Sequence, residues 1–229
     1  LRYTADEVAW HTAAIHSAGS AAHVPLILID PQTRRGGTEV FIYTRDRDNI
    51  FALAVSAMDQ LGLDIQDARI ITTTNGYTLD SFLVLEETDQ GLERDARTAM
   101  IRETLTEVLG ETRKPPEPGH RGLPRRLRHF NTPTQVDFSE DTGNGRTAVE
   151  LITGDQPGLL ARVGSVFARH SLRVQNAKIA TIGERAEDVF FLTDADNAPL
   201  TPALRQQLRS ELLELFEGDS DIMRRGDGV

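Results

Sequence analysis

Two stretches of the chain run through the same order of apolar and polar positions. In the first, Leu26-Ile27-Leu28-Ile29 and the β-rich run Thr38 to Thr44 flank a loop containing Arg34-Arg35-Gly36-Gly37, which predicts a hairpin. Ile50, Leu53, Ala54, Ala57, Met58 and Leu61 then recur at helical spacing, and Gly62 ends the pattern. Leu63 to Thr74 and Thr78 to Glu86 read as strands joined at Asn75-Gly76, a strong hairpin turn signal. A second helix is predicted over Gly91 to Leu109.

The second stretch repeats this order. Strands are predicted over Thr134 to Ser139 and Thr147 to Thr153 around Gly143-Asn144-Gly145. A helix follows over Leu159 to His170, then strands over Leu172 to Ile182 and Val189 to Thr193, then a helix over Thr201 to Phe216. A constant offset of 109 aligns the two without a gap from Phe41 to Ile70, placing Thr44 on Thr153, Asp46 on Asp155, Ala52 on Ala161 and Gln66 on Gln175. Even an irregularity recurs: apolar positions run 63, 65, then 68, 70 in one copy and 172, 174, then 177, 179 in the other. That skipped beat predicts a β-bulge in the same strand of each copy.

Each unit is therefore a hairpin, a helix, two strands and a helix. The fold class is α+β: two ferredoxin-like βαββα-type repeats, antiparallel sheets with helices on one face. The first strand of each unit takes an edge, and side-by-side pairing of the two sheets is expected. The repeats occupy 23–110 and 132–217. Residues 111–131 carry Pro115, Pro116, Pro118 and Pro124 among clustered arginines, and read as a linker or an arm on a neighbouring surface. Residues 218–229 read as a disordered tail. Residues 1–22 read as a connector from an upstream domain, with Thr4 and Glu7 as a capping box and Val8, His11, Ala14 and Ile15 on one helix face.

Composition narrows the function. A net charge of −10 argues against general nucleic-acid or anionic-membrane binding. The absence of cysteine removes disulfides, thiolate metal sites and cysteine nucleophiles, and fits a reducing cytoplasm. No apolar run approaches the roughly 20 residues of a spanning helix. The histidines form no HExxH spacing, and neither a P-loop nor Gly-x-Ser-x-Gly is present. Asp30-Pro31-Gln32 lacks the second aspartate of a nucleotidyltransferase metal pair, and Asp194-Ala195-Asp196 is more simply a turn. No catalytic or metal-binding constellation is found.

One stretch does suggest binding chemistry. Asp155-Gln156-Pro157-Gly158-Leu159-Leu160 joins a strand to a helix. Asp155 is placed to cap that helix, Pro157 suits its first turn, and Gly158 permits close approach of a backbone or ligand. A free amino acid presents a carboxylate, which suits a helix N-terminus, and an ammonium, which suits an aspartate. Asn176 and Lys178, on the bent strand, are expected to add polar contacts. The same residues also make a good helix start with no ligand. The first copy has Asp46-Arg47-Asp48-Asn49-Ile50-Phe51 in this place, with Asn49 as the alternative cap and Asp67 at the position of Asn176.

These residues, inside a repeated βαββα unit, resemble the ACT domain, a regulatory module that commonly binds amino acids. Arg35 to Tyr43, Asp67 to Thr72, Asn75 to Asp80, Leu127 to Phe130, Asn176 to Thr181 and Glu184 to Phe191 further resemble the C-terminal tandem ACT domains of the bacterial PII-protein uridylyltransferase/uridylyl-removing family. The resemblance implies that upstream domains transfer UMP to the PII signalling protein and remove it, with Mg2+ expected there and no cofactor in this chain. It also implies that the ACT pair reports glutamine. Carried over by position, the ligand residues are Asp155, Gln156, Gly158, Leu159, Leu160 and Asn176, with Asp46, Asn49, Ile50 and Asp67 in the first copy. Two other functions remain open: a ligand-free interaction or dimerisation module, or the ACT pair of an amino-acid biosynthetic enzyme.

Overall fold

The computed structural model describes residues 3–19, 25–31, 33, 35–86, 94–110 and 132–224, with backbone alone from residue 217. The Pro/Arg-rich linker, including Leu127 to Phe130, lies outside the described residues, as do residues 225–229.

After α1 (Ala5–Ala18), the first unit comprises β1 (Leu26–Asp30), β2 (Thr38–Arg45), α2 (Ile50–Gln60), β3 (Leu63–Thr72), β4 (Tyr77–Glu86) and α3 (Arg94–Gly110). The second comprises β5 (Gln135–Asp141), β6 (Arg146–Gly154), α4 (Leu159–Arg169), β7 (Arg173–Ile182), β8 (Arg185–Thr193) and α5 (Pro202–Arg224). The closing helix thus continues through residues 218–224, which the sequence predicted as tail. One interior glycine, Gly218, disfavours a helix by only about 1 kcal/mol, and the acidic residues around it do not stop one.

All eight strands form one antiparallel sheet in the order β1-β2-β4-β3-β7-β8-β6-β5. The units join where β3 pairs with β7, and Arg69 faces Lys178 at the centre of that pairing. These two residues are equivalent under the 109-residue offset, so the molecule has a pseudo-twofold axis there. β1 and β5 take the two edges, as expected. The predicted bulge occurs in both copies, between Ile65 and Asp67 and between Val174 and Asn176.

Alternation along the strands sends one set of side chains to the helices. Val40, Ile42, Ala68, Ile70, Phe82 and Val84 in the first unit, and their counterparts in the second, are buried in a single core. α2 and α4 pack against each other across the pseudo-twofold. Gly164 makes this possible, since a Cβ there would lie 3.0 Å from the Cα of Ala52. Phe190 on β8 meets both Phe167 of its own unit and Phe51 of the other, edge-on at 5.1 and 5.9 Å. Such aromatic pairs contribute about 0.5–1.5 kcal/mol each beyond the area they bury, and here they weld the units together.

The opposite face of the first unit is covered by α1. Its capping box forms as expected, with Thr4 Oγ1 accepting from the Glu7 N–H and Glu7 Oε2 accepting from the Thr4 N–H. The His11 ring stacks on Phe41 at 3.8 Å, and Glu7 pairs with Arg69 at 3.4 Å. Val8, expected to share a helix face with His11, is 50% exposed while His11 is buried. The face that docks is set by Tyr3, Glu7 and His11, whose polar groups meet partners on the sheet.

Candidate ligand site at the interface of the two units

The turn Asp155–Gly158 carries β6 into α4. Gly158 is the residue that flanks the helix, with φ 73° and ψ 11°, a left-handed conformation that favours glycine. No side chain caps α4, so Asp155 does not perform the role predicted for it. Its backbone N–H instead bonds to the Glu184 carbonyl in the β7–β8 turn, 2.9 Å away. Asn49 holds the equivalent place before α2 with φ 63°, and it too makes no side-chain cap bond. A left-handed residue tightens the turn and directs its side chain away from the amides it would cap.

Each turn is tied to its unit's closing helix by an arginine. Arg47 donates to the Leu109 carbonyl at 3.0 Å. Arg162 donates to the Leu215 carbonyl and to Gln156 Oε1. Leu109 lies in the last turn of α3, where carbonyls lack internal donors and carry the negative end of the helix dipole, so a guanidinium is a favourable partner there.

A cavity of about 30 Å³ opens beside the second turn. Asp155, Gln156, Gly158, Leu159 and Leu160 all border it, so five of the expected ligand residues come together. Its far wall belongs to the other unit: Val55 and Asp59 of α2, and Leu63, Asp64 and Ile65 of β3. A Cβ on Gly158 would sit 3.2 Å from Asp59 Oδ1, so this glycine is where the two units approach most closely at the turn. The floor includes Asp188 on β8, which is 1% exposed, and Thr181.

A smaller cavity of about 10 Å³ lies beside the first turn, bordered by Asp46, Arg47, Asn49 and Ile50 and, across the interface, by Gly164, Ala168, Leu172 and Arg173. Under the 109-residue offset these are the counterparts of the first cavity's walls. The two cavities are one site repeated by the pseudo-twofold.

Asn176 and Asp67 border neither cavity. Ala68 and Ala177 point into the core, so their neighbours Asp67 and Asn176 face the other side of the sheet. Asp67 pairs there with Arg35 at 2.6 Å. The bulge re-aims the strand, and the expected polar contacts across the turn are not made. Asp194, for its part, accepts from the N–H groups of Asp196 and Ala198, both at 2.9 Å, so Asp194-Ala195-Asp196 is a turn.

Residues 147–212 match the ACT domain family. Along nearly all its length the chain is similar to bacterial enzymes described as bifunctional uridylyltransferase/uridylyl-removing enzymes. It is 46% identical to that of Pseudomonas fluorescens over 93% of this chain and 24% of the relative. For Methylococcus capsulatus the identity is 46%, over 96% and 25%; for Ectopseudomonas mendocina it is 47%, over 93% and 24%. The chain is one region of that enzyme family, and it carries an ACT domain. It spans about a quarter of the length of the relatives it matches. An aspartate kinase from Synechocystis aligns with 78% of this chain and 26% of its own at 17% identity and a TM-score of 0.42, too distant to bear on function.

Sequence reasoning missed the acid on the last strand of each ACT-type unit. Asp80 pairs with Ile42 and Asp188 with Leu151, so the two are structural equivalents. Burial pushes both carboxyls up to about 7, and the neighbouring Asp46 or Asp155 adds to the shift. Asp155 itself is raised by burial, and so is Asp46, although the charge of Arg173 favours the ionised form of Asp46. Asp80 is relieved by the Thr78 hydroxyl and the Ile71 N–H. Asp188 Oδ1 accepts from the Ala180 N–H at 3.4 Å, while its Oδ2 is buried with no partner. The available signal was an aspartate alternating with Phe82 and Val84 in one last strand and with Phe190 and Leu192 in the other.

Proposed function

We propose that this chain is a glutamine-sensing ACT pair that regulates its parent enzyme, adjusting uridylylation and deuridylylation of the PII nitrogen-signalling protein. The observation that carries this reading is the interface cavity at the Asp155–Leu160 turn. It is walled by both units and floored by a buried carboxylate oxygen that no protein group satisfies. A site that exists only while the units are docked can convert occupancy into a change of docking, provided the ligand binds one arrangement better than another. Arg162 offers a route outward, because it holds both the turn residue Gln156 and the closing helix α5.

The similarity to uridylyltransferase/uridylyl-removing enzymes supports nitrogen regulation as the context, and glutamine is the amino acid whose level such an enzyme would need to report. Titration calorimetry of the chain with glutamine, glutamate, serine and phenylalanine tests the reading. Saturable heat with glutamine, and weaker or no heat with the others, is the expected result. Preference for serine or phenylalanine would defeat the nitrogen-sensing claim. Absence of heat with every amino acid, in a folded sample, would favour a ligand-free interaction module.

A further inference from the structure

The pseudo-twofold supplies an internal control, because the same site appears twice with different contents. In the first copy the cation is built in. Arg173 reaches across the interface from the second unit, and its guanidinium lies 2.8 Å from Asp48 and favours the ionised form of Asp46. The deep acid of that copy, Asp80, takes the Thr78 hydroxyl.

Both provisions are missing from the second copy. The position equivalent to Arg173 is Asp64, and the position equivalent to Thr78 is Ala186. Asp59, Asp64, Asp155 and Asp188 border the cavity, and among the described residues no basic side chain does. Among the described residues, no three acidic or histidine side chains converge as metal ligands. A carboxylate oxygen buried without a donor is unfavourable, and it becomes favourable when a cationic donor arrives. The cavity of about 30 Å³ has room for a water-sized group at its floor and opens outward. A compact donor suits that floor, and a cationic one suits its four acids best.

We propose that Asp188 is the anchoring residue of this site, its Oδ2 accepting a hydrogen bond from the ligand's ammonium group, with Asp155 as the second acid. This rests on the amino-acid-sensing reading above and names the atom that recognises the ligand's charge. In the first copy the Thr78 hydroxyl already donates to Asp80, the counterpart of Asp188, and Arg173 supplies a cation beside Asp46, so the second copy is the one left to take a ligand's charge.

Calorimetry of the whole chain with glutamine and with N-acetylglutamine, whose nitrogen is uncharged, tests the assignment. N-acetylglutamine is expected to bind at least about 10–100-fold more weakly, the range for loss of a charge-assisted hydrogen bond. Asp188→Asn should lose glutamine affinity to the same extent, whereas Asp80→Asn should stay within about twofold of the parent chain. N-acetylglutamine binding as well as glutamine would overturn the ammonium assignment while leaving the sensor reading standing. A folded Asp188→Asn chain with unchanged affinity would overturn the role of Asp188. Should that variant fail to fold, the two ligands on the unmodified chain decide the matter. No binding of any amino acid by the unmodified chain would defeat the sensor reading and this assignment together.

Discussion

The two interface sites share a backbone and differ in the side chains that line them, and the difference separates scaffold from recognition. Both turns pass through a left-handed residue, both lie over a buried aspartate, and both are latched to a closing helix by an arginine. The first has Asn49, Val174's neighbour Arg173, Gly164, Ala168 and Thr78 where the second has Gly158, Asp64, Val55, Asp59 and Ala186. The result is one site closed by its own chain's charges and one left acidic and open. Duplication preserves the fold's requirements and frees one copy from the ligand's.

Four substitutions or conditions break or sharpen this contrast. The largest effect is expected from Gly158→Asn, which gives the second turn the residue of the first. Asparagine tolerates the left-handed backbone, as Asn49 does at φ 63°. Its side chain, however, would crowd Asp59 at the cavity mouth. Glutamine affinity should fall by more than about 100-fold in calorimetry, with stability changed by only about 1 kcal/mol in thermal unfolding.

Next in size is Gly164→Val, which puts the counterpart of Val55 on both sides of the α2–α4 crossing. The Cβ alone would meet the Ala52 Cα at 3.0 Å. Overpacking of this kind typically destabilises by about 1–3 kcal/mol, and denaturant unfolding would register it. A chain of unchanged stability would mean that the helices separate more readily than their packing implies.

The buried acids predict opposite pH dependences for stability and for binding. Folded, Asp80 and Asp188 ionise at about 7, pushed up by burial; unfolded, they ionise near 4. Between those values the folded chain holds more protons, so stability falls as pH rises from about 4 through 7. Thermal unfolding should show a more stable ligand-free chain at pH 6 than at pH 8. Asp80→Asn and Asp188→Asn should each reduce that difference by a kcal/mol or so. Glutamine binding needs ionised Asp188, which shares its cavity with Asp155, Asp59 and Asp64. Affinity should therefore drop as pH is lowered through 7, and stability gained at pH 6 would come with weaker binding.

The smallest effect is expected from Arg173→Met. The partner Asp48 is 66% exposed, and ion pairs of this kind contribute about 0–1 kcal/mol. Stability should change by no more than that, while the first cavity loses its internal cation. A much larger loss in thermal unfolding would give Arg173 a structural role in place of a space-filling one.

Much of the scaffold was legible in the residues because its determinants are local and occur twice. The skipped apolar beat at 65/68 and 174/177 became a bulge in both copies, and Asn75-Gly76 became a hairpin turn. The Asp155–Leu160 turn was legible as a candidate because a proline and a glycine between strand and helix have few other uses. The opposite wall was not, since Asp59 and Asp64 reach the site only through the β3–β7 pairing and the α2–α4 contact. Asp188 was hidden by register. The β7–β8 turn is one residue shorter than the β3–β4 turn, so the offset falls from 109 to 108 and Asp80 no longer aligns with Asp188. Asn176 misled for the converse reason: its place on the bent strand says nothing of the face that strand presents after the bulge.

The central claim is that glutamine occupies the open second site and leaves the closed first one empty. Amide chemical-shift mapping by NMR during a glutamine titration tests it most directly. The account predicts saturable shifts in 155–161 and 186–188, together with 59–65 across the interface, and little change in 46–52. Shifts centred on 46–52 and 172–174, or no shifts at a glutamine concentration that saturates the calorimetric heat, would contradict it.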